Sequence, residues 1–304
     1  MSAKTPVNIP ASIRQRLLNL AKHEKRPFNE MLQYYAMERF LYRLSRSIHA
    51  ERFILKGALM LRVWCALDSR PTMDIDLLGR ANNDAVAIVE QIKDILSVKV
   101  KPDGVIFEQD SVQAERIAKD AEYEGVRIRF RGTLDSARIN MQVDIGFGDV
   151  VFPEPEKTEL PVMLNFPSPR LLSYSRESTI AEKFEAMVKL RELNSRMKDF
   201  YDIWLLSRQF DFDGRTLAEA IQKTFDHRGT ELPTDPPVAF SSGFSGDQNK
   251  NRQWQAFLKR NRLEGPGKLA QVAEALQKFI MPLVNALNEG NEFKMIWKPG
   301  AGWD

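Results

Sequence analysis

Two neighbouring runs of alternating side chains constrain this chain more than anything else in it. From Ala137 to Phe147 the apolar set is Ile139, Met141, Val143, Ile145 and Phe147, and the polar set is Asn140, Gln142 and Asp144. Successive side chains of a strand point to opposite faces, so the run predicts a strand with one buried and one polar face. From Gly125 to Leu134, Val126, Ile128 and Phe130 alternate with Arg127, Arg129 and Arg131. Asp135-Ser136 between the runs is turn chemistry, which makes them antiparallel neighbours. Three arginines on one strand face can hold phosphates; an ordinary solvated face is the simpler account of them.

The polar face carries Asp144, and an acidic pair lies upstream in Arg70-Pro71-Thr72-Met73-Asp74-Ile75-Asp76-Leu77-Leu78. As a strand, this segment turns Asp74 and Asp76 to one side and Ile75 and Leu77 to the other. Paired carboxylates repel unless a cation sits between them. Magnesium in phosphoryl-transfer sites is held by one or two carboxylates plus substrate phosphates. Asp-x-Asp alone is a weak signal, since turns and strand edges also produce it. Two neighbours strengthen it. Phe53-Ile54-Leu55 reads as a short strand, Lys56-Gly57 follows it, and Ala58–Trp64 has helix-forming composition. That order aims backbone N–H groups and the positive helix end at a phosphate. Asp144 then offers a third carboxylate.

The rest of the chain reads mainly as helix. Segments near Ala11–Lys22 and Phe28–Ser47 recur at helical spacing, with Pro27 as a start signal and Arg39, Arg43 and Arg46 on one exposed face. Residues 1–50 hold nine Lys and Arg against three Glu, six net positive charges in a chain of net charge +3. Such a basic lobe suits an acceptor bearing phosphates, or is a solvated helix surface. Asn83 is the expected N-cap of a helix near Asp84–Leu96, and Val105–Phe107 a short strand. Five prolines within 152–170 mark a linker. The division expected is a helical lobe over 1–50, a core over 51–152 and a mainly helical domain over 153–304.

In the helix near Ser178–Leu193, Lys183 lies at the edge of the buried stripe and can reach a phosphate or merely snorkel. Met197–Ser207 is apolar nearly all round, so its Asp199 and Asp202 need cationic partners; Asp202 is expected to pair with Lys183, Arg196 or Lys198. Residues 227–250 read as a mobile loop. After them, Trp254 and Phe257 accompany Arg252, Lys259, Arg260 and Arg262 on a helix that grips nucleic acid or buries its aromatic face. A further packing helix lies near Gly267–Leu287.

A single cysteine, Cys65, permits no internal disulfide, and His23, His49 and His227 are too scattered for a zinc site. With 43% hydrophobic residues and no apolar run approaching about 18 residues, the chain is expected to be soluble and cytoplasmic.

Taken in order, Leu55-Lys56-Gly57, Arg70-x-Thr72-x-Asp74-x-Asp76, Gln142–Asp149, Ala181–Ala186 and Ser195–Asp202 resemble the AbiEii/AbiGii nucleotidyltransferase toxins, within the DNA polymerase beta-like superfamily. One departure is Ala58, where relatives commonly carry a second glycine; its methyl narrows the approach to a phosphate. The resemblance implies an α+β fold, a small mixed or antiparallel sheet flanked by helices with a mainly helical C-terminal domain. It implies transfer of a nucleoside monophosphate from an NTP to an RNA acceptor, the tRNA 3′ end, and a cognate antitoxin. Two Mg²⁺ or Mn²⁺ ions would be held by Asp74, Asp76 and Asp144, with Lys183 completing the catalytic set. Nucleotide binding would fall to Lys56, Gly57, Ala58, Arg70, Thr72, Lys183, Asp199 and Asp202. A non-catalytic nucleotide- or RNA-binding module, or transfer to a protein acceptor, are the alternatives. A glycosyltransferase also uses Asp-x-Asp, but the Lys-Gly turn and the third Asp argue against one.

Overall fold

The computed structural model describes residues 8–65, 70–80, 83–119 and 123–304. In chain order these form α1 (Ile9–His23), α2 (Phe28–Arg46), β1 (Phe53–Lys56), α3 (Ala58–Cys65), β2 (Ile75–Gly79), α4 (Ala85–Ser97), β3 (Val105–Lys119), β4 (Tyr123–Leu134), β5 (Ala137–Phe147), β6 (Glu156–Glu159) and β7 (Arg170–Ser173). There follow α5 (Arg176–Leu190), α6 (Met197–Gln209), β8 (Phe212–Asp213), α7 (Gly214–Arg228), α8 (Ser242–Gly246), α9 (Gln248–Asn261), α10 (Leu269–Asn288), β9 (Ile296–Lys298) and β10 (Gly302–Trp303). The α+β class expected from the sequence is the one observed.

Contacts gather the chain into two compact units, residues 1–63, 71–148 and 156–173 in one and residues 64–70, 149–155 and 174–304 in the other. The N-terminal helices therefore belong to the unit that holds the sheet and form no lobe of their own. The expected boundary at 152/153 is crossed as well, because residues 156–173 return to the first unit.

The first unit is built on a mixed sheet in the order β3-β4-β5-β2-β1-β7-β6. Pairing is antiparallel for β3–β4, β4–β5, β2–β1 and β7–β6, and parallel for β5–β2 and β1–β7. The two alternating runs are β4 and β5, and their apolar faces carry Ile128, Phe130, Met141, Val143 and Ile145 into the core. Asp135 adopts φ +53° in the turn between them, a conformation its short side chain tolerates. Against this layer lies α2, with Tyr35, Ala36 and Phe40 fully buried.

Several expectations are corrected here. Arg39 and Arg43 are not exposed; they are 1% and 6% accessible. Arg43 forms a two-point ion pair with Asp103 at 2.7 and 3.1 Å, and Arg39 donates to the Pro167 carbonyl and pairs with Glu38. Of that trio Arg46 alone is exposed. The N-cap of α4 is Asp84, whose carboxylate accepts from the Val86 N–H, and not Asn83. The strand at Val105 continues to Lys119, past a register shift between Glu108 and Gln113. The proline-rich linker contains β6, which sits at the sheet's edge, where proline-flanked strands are tolerated.

The second unit is mainly helical. α6 is buried nearly all round, as its composition requires. Residues 227–250 are not a mobile loop: α7 runs to Arg228, a short 3₁₀ turn covers Val238–Phe240, α8 follows, and Phe240 and Phe244 are buried. Trp254 is fully buried, so α9 takes the reading with its aromatic face inward. The segment after Asn288 supplies β9 and β10, which join β8 in a small sheet, β10-β9-β8, and its Trp297 and Trp303 pack on Phe279. Among the described residues no helix is long and apolar enough to cross a membrane.

Candidate active site

Strand register in the first unit sets four charged side chains in one transverse row. Lys56 on β1 is opposite Asp76 on β2, Asp76 is opposite Asp144 on β5, and Asp144 is opposite Arg127 on β4. Residues directly opposite across a sheet share a face, so the row reads cation, anion, anion, cation. The two central carboxylates would repel if nothing balanced them. The structure meets part of that repulsion with Arg127, whose Nε and Nη2 donate to Oδ1 and Oδ2 of Asp144, both at 2.8 Å. This hydrogen-bonded pairing with Asp144 holds the Arg127 guanidinium above its ordinary pKa, with burial opposing and Asp74 adding to the effect. Asp144 is 5% accessible.

Gly57 closes the row at its β1 end. It has φ +74°, in the left-handed region that favours glycine, and a Cβ built there would collide with the Asp76 carboxylate. The turn thus needs glycine both for its backbone and for the acid beside it. Immediately after it α3 begins, and the first amides of a helix have no acceptor within it. Ala58 is buried at the start of α3. Gly57→Ala should lower thermal stability by about 1–2 kcal/mol for the left-handed conformation and displace Asp76. Melting curves and nucleotide titrations check this: nucleotide binding equal to wild type would mean that the turn does not serve the site.

The segment before β2 is fastened from α2. The Thr72 N–H donates to the Tyr34 hydroxyl at 2.9 Å, and Gln33 Nε2 donates to the carbonyls of Met73 at 3.2 Å and Asn140 at 3.0 Å. Gln33 therefore ties the Asp74 segment to β5. Thr72 Oγ1 accepts from the Asp74 N–H at 3.4 Å, a local turn that steadies the segment carrying Asp74. Sequence reading passed over Gln33 and Tyr34; the available signal was polar side chains inside the buried pattern of α2.

A second charge cluster lies within the helical unit. Lys183 Nζ is 2.7 Å from both Asp199 Oδ1 and Asp202 Oδ2, Arg70 Nε is 3.0 Å from Asp202 Oδ1, and Arg196 Nε is 2.6 Å from Asp199 Oδ2. The expected pairing of Asp202 with Lys183 is present, and Asp199 shares it. Three cations surround two fully buried carboxylates, so the named groups sum to a positive centre. Burial alone would depress the Lys183 pKa; Asp199 and then Asp202 outweigh it and hold it above the lysine value. Burial alone would raise Asp199, and Lys183 and Arg196 bring it below the usual aspartate value of 3.8. The aspartate's contribution to stability is therefore complete above pH 3.8 and lost as pH falls through the depressed value. The lysine's is complete below 10.5 and lost as pH rises through the raised value. Acid melting curves should show this loss, and Lys183→Met should make it shallower; an unchanged acid limb would remove the cluster from the pH dependence.

The motif residues around Lys183 serve a different purpose. Arg228 on α7 receives Glu185 at 2.7 Å, Asp149 at 2.8 Å and Glu182 at 3.6 Å, and Thr230 donates to Glu185 at 2.7 Å. Burial opposes its charge, but Glu182 and Asp149 raise its pKa above the ordinary arginine value. Asp149, Glu182 and Glu185 are thus bound into packing.

Among the described residues no group of three or more His, Cys, Asp or Glu side chains stands positioned to hold a metal ion. Asp144 is committed to Arg127, so the three carboxylates form no ready cage. The oxygen donors at Asp74 and Asp76 still fit a hard divalent ion, because magnesium takes one or two carboxylates and completes its shell with water and substrate phosphate.

A family model described as nucleotidyl transferase AbiEii toxin, type IV TA system, matches residues 39–278. No curated protein matches the chain. Two solved structures from Helicobacter pylori are similar to it. JHP933 is 15% identical with a TM-score of 0.48, covering 86% of this chain and 97% of its own. The other, whose description proposes a nucleotidyltransferase, is 15% identical with a TM-score of 0.46, covering 86% and 96%.

Proposed function

The chain belongs to the AbiEii nucleotidyl transferase toxin family of type IV toxin–antitoxin systems, and on that footing we propose that it moves a nucleoside monophosphate from an NTP to an RNA acceptor, the 3′ end of a tRNA. The observation that carries the reading is the in-register row Lys56, Asp76, Asp144 and Arg127 beside the Gly57 turn. In this reading the amides of Gly57 and Ala58, at the start of α3, receive the triphosphate. Lys56 offsets its charge; within the helical unit, Asp199 and Asp202 hold Lys183 and Arg70 in place. Thr72 fixes the segment that carries Asp74.

Asp74 and Asp76 would hold Mg²⁺ or Mn²⁺, with Asp144 contributing to a second ion once released from Arg127. Bound there, the ions supply Lewis acidity at the phosphoryl oxygens and charge for the departing pyrophosphate. The acceptor hydroxyl loses its proton to Asp144 and its oxygen bonds to the α-phosphorus. The bond from that phosphorus to the bridging oxygen breaks, and pyrophosphate leaves. Asp144 accepts the proton only after the Arg127 pair opens, so Arg127 restrains the base until substrate draws its guanidinium away. A cognate antitoxin restrains the enzyme in the cell.

Purified protein incubated with NTPs labelled at the α-phosphate, Mg²⁺ and total tRNA tests the proposal. Label should appear in RNA. Label moving with polypeptide instead would replace the acceptor, and no transfer with any of the four nucleotides would leave a binding module.

A further inference from the structure

Beyond the carboxylate row, along β5, lies a trough of about 660 Å³, within the range of ligand sites, lined by polar side chains together with Leu32, Phe130, Ile139 and Met141. It lies within the first unit, along β3, β4 and β5 and the first turns of α2. Asp74 lines it; Lys56, Gly57 and Asp76 do not. It therefore leads from Asp74 away from the turn assigned to the triphosphate. Whatever lies along it delivers one end to Asp74.

Its lining is amide-rich. Asn29, Gln113, Asn140 and Gln142 face it, with the exposed Arg138 at the far end of the β5 row. Among the described residues, none of these five side chains accepts or donates a hydrogen bond within the protein, apart from contacts made by main-chain atoms. An amide offers a donor and an acceptor side by side, the pattern that base edges and ribose hydroxyls match. Arg129 and Arg131 also line the trough, but they are paired with Glu115 at 2.7 Å and Glu108 at 2.9 Å. Those pairs are exposed and worth little, so a phosphate can displace the glutamates at small cost. With Asp74 and Asp110 also present, the trough carries no strong positive field. This lining does not suit a duplex gripped by its backbone, which needs dense positive charge. It suits unpaired nucleotides read by their edges.

Length agrees. Gln142, Asn140 and Arg138 lie on alternate positions of β5, about 6.8 Å apart per step. Together they span two successive residues of an extended polynucleotide. Resting on the nucleotidyl-transfer reading above, we propose that this trough is the acceptor site and binds the single-stranded 3′ end of an RNA. Asn140 and Gln142 contact bases, and Arg138 contacts the phosphate farthest from Asp74.

The test is fluorescence anisotropy on the full chain with a labelled single-stranded RNA and, separately, a blunt RNA duplex. Arg138→Glu combined with Asn140→Ala alters two side chains with no partner bond to lose and should leave the melting temperature unchanged. It should weaken single-strand binding at least about tenfold, while the thermal shift produced by Mg²⁺ and NTP stays at the wild-type value. Equal single-strand affinity in the two proteins, preference for the blunt duplex, or no RNA binding by the wild type would each overturn the acceptor site. Because no turnover is needed, such a failure is distinct from failure of the catalytic reading, which the Mg²⁺–NTP shift and label transfer report.

Discussion

Asp76→Asn is expected to abolish nucleotidyl transfer, by about a thousandfold or more, while the protein melts within a few degrees of wild type. Asp76 stands between Lys56 and Asp144 in the transverse row and fills the space left by the missing side chain of Gly57. Replacing one carboxylate oxygen by an amide keeps shape and removes charge. The Asp76–Asp144 repulsion falls, so stability has no reason to drop much. What is lost, on the proposed function, is an anionic oxygen donor to a metal–triphosphate complex. Losing several kcal/mol of transition-state stabilisation corresponds to about three orders of magnitude in rate. Initial rates of label transfer and a melting curve on the same preparation decide it. A variant that is active would exclude Asp76 from the chemistry, and one that does not fold would make the acid structural.

Arg228→Met is expected to have the opposite profile. The substitution keeps much of the aliphatic stem but strands Glu185, which is 2% accessible, together with Asp149 and Glu182 around an absent cation. Removing one partner of a buried ionic network costs about 3–5 kcal/mol, because the remaining charges stay desolvated and unbalanced. That is a large share of the stability of an ordinary domain. Denaturant unfolding should show the loss, and adding Glu185→Gln to the Arg228→Met variant should recover part of it. A midpoint within experimental error of wild type would mean that the acids are solvated or otherwise paired.

The contrast between these variants follows from what the sequence made legible. β4, β5, the Lys56-Gly57 turn and the Asp74–Asp76 segment are all local patterns, and local periodicity reveals them. The Arg127–Asp144 pair was also within reach. Counting outward from the two-residue turn at Asp135-Ser136 sets Arg127 opposite Asp144, but the arginines read as phosphate ligands or as a solvated face, not as partners for the acid across the ladder. β7 was hidden because Leu171 and Leu172 give too short a run for periodicity, and its parallel pairing with β1 depends on distant chain. β9 and β10 failed for the same reason; their tryptophans find Phe279 only in the folded unit. Arg39 and Arg43 were placed on the surface because charge predicts exposure. Their partners, Asp103 and the Pro167 carbonyl, lie far along the chain. Residues 227–250 have loop composition but hold Phe240 and Phe244 in the core, where burial overrides local preference.

The proposed chemistry requires Asp74 and Asp76, joined by Asp144 once it is released from Arg127, to bind divalent ions in company with an NTP. Electron paramagnetic resonance of Mn²⁺ titrated into the protein with a non-hydrolysable NTP analogue measures this without turnover. Wild type should remove Mn²⁺ from solution in an analogue-dependent manner, and Asp74→Asn, Asp76→Asn and Asp144→Asn should each weaken that uptake. Equal Mn²⁺ uptake by wild type and all three variants would contradict the account.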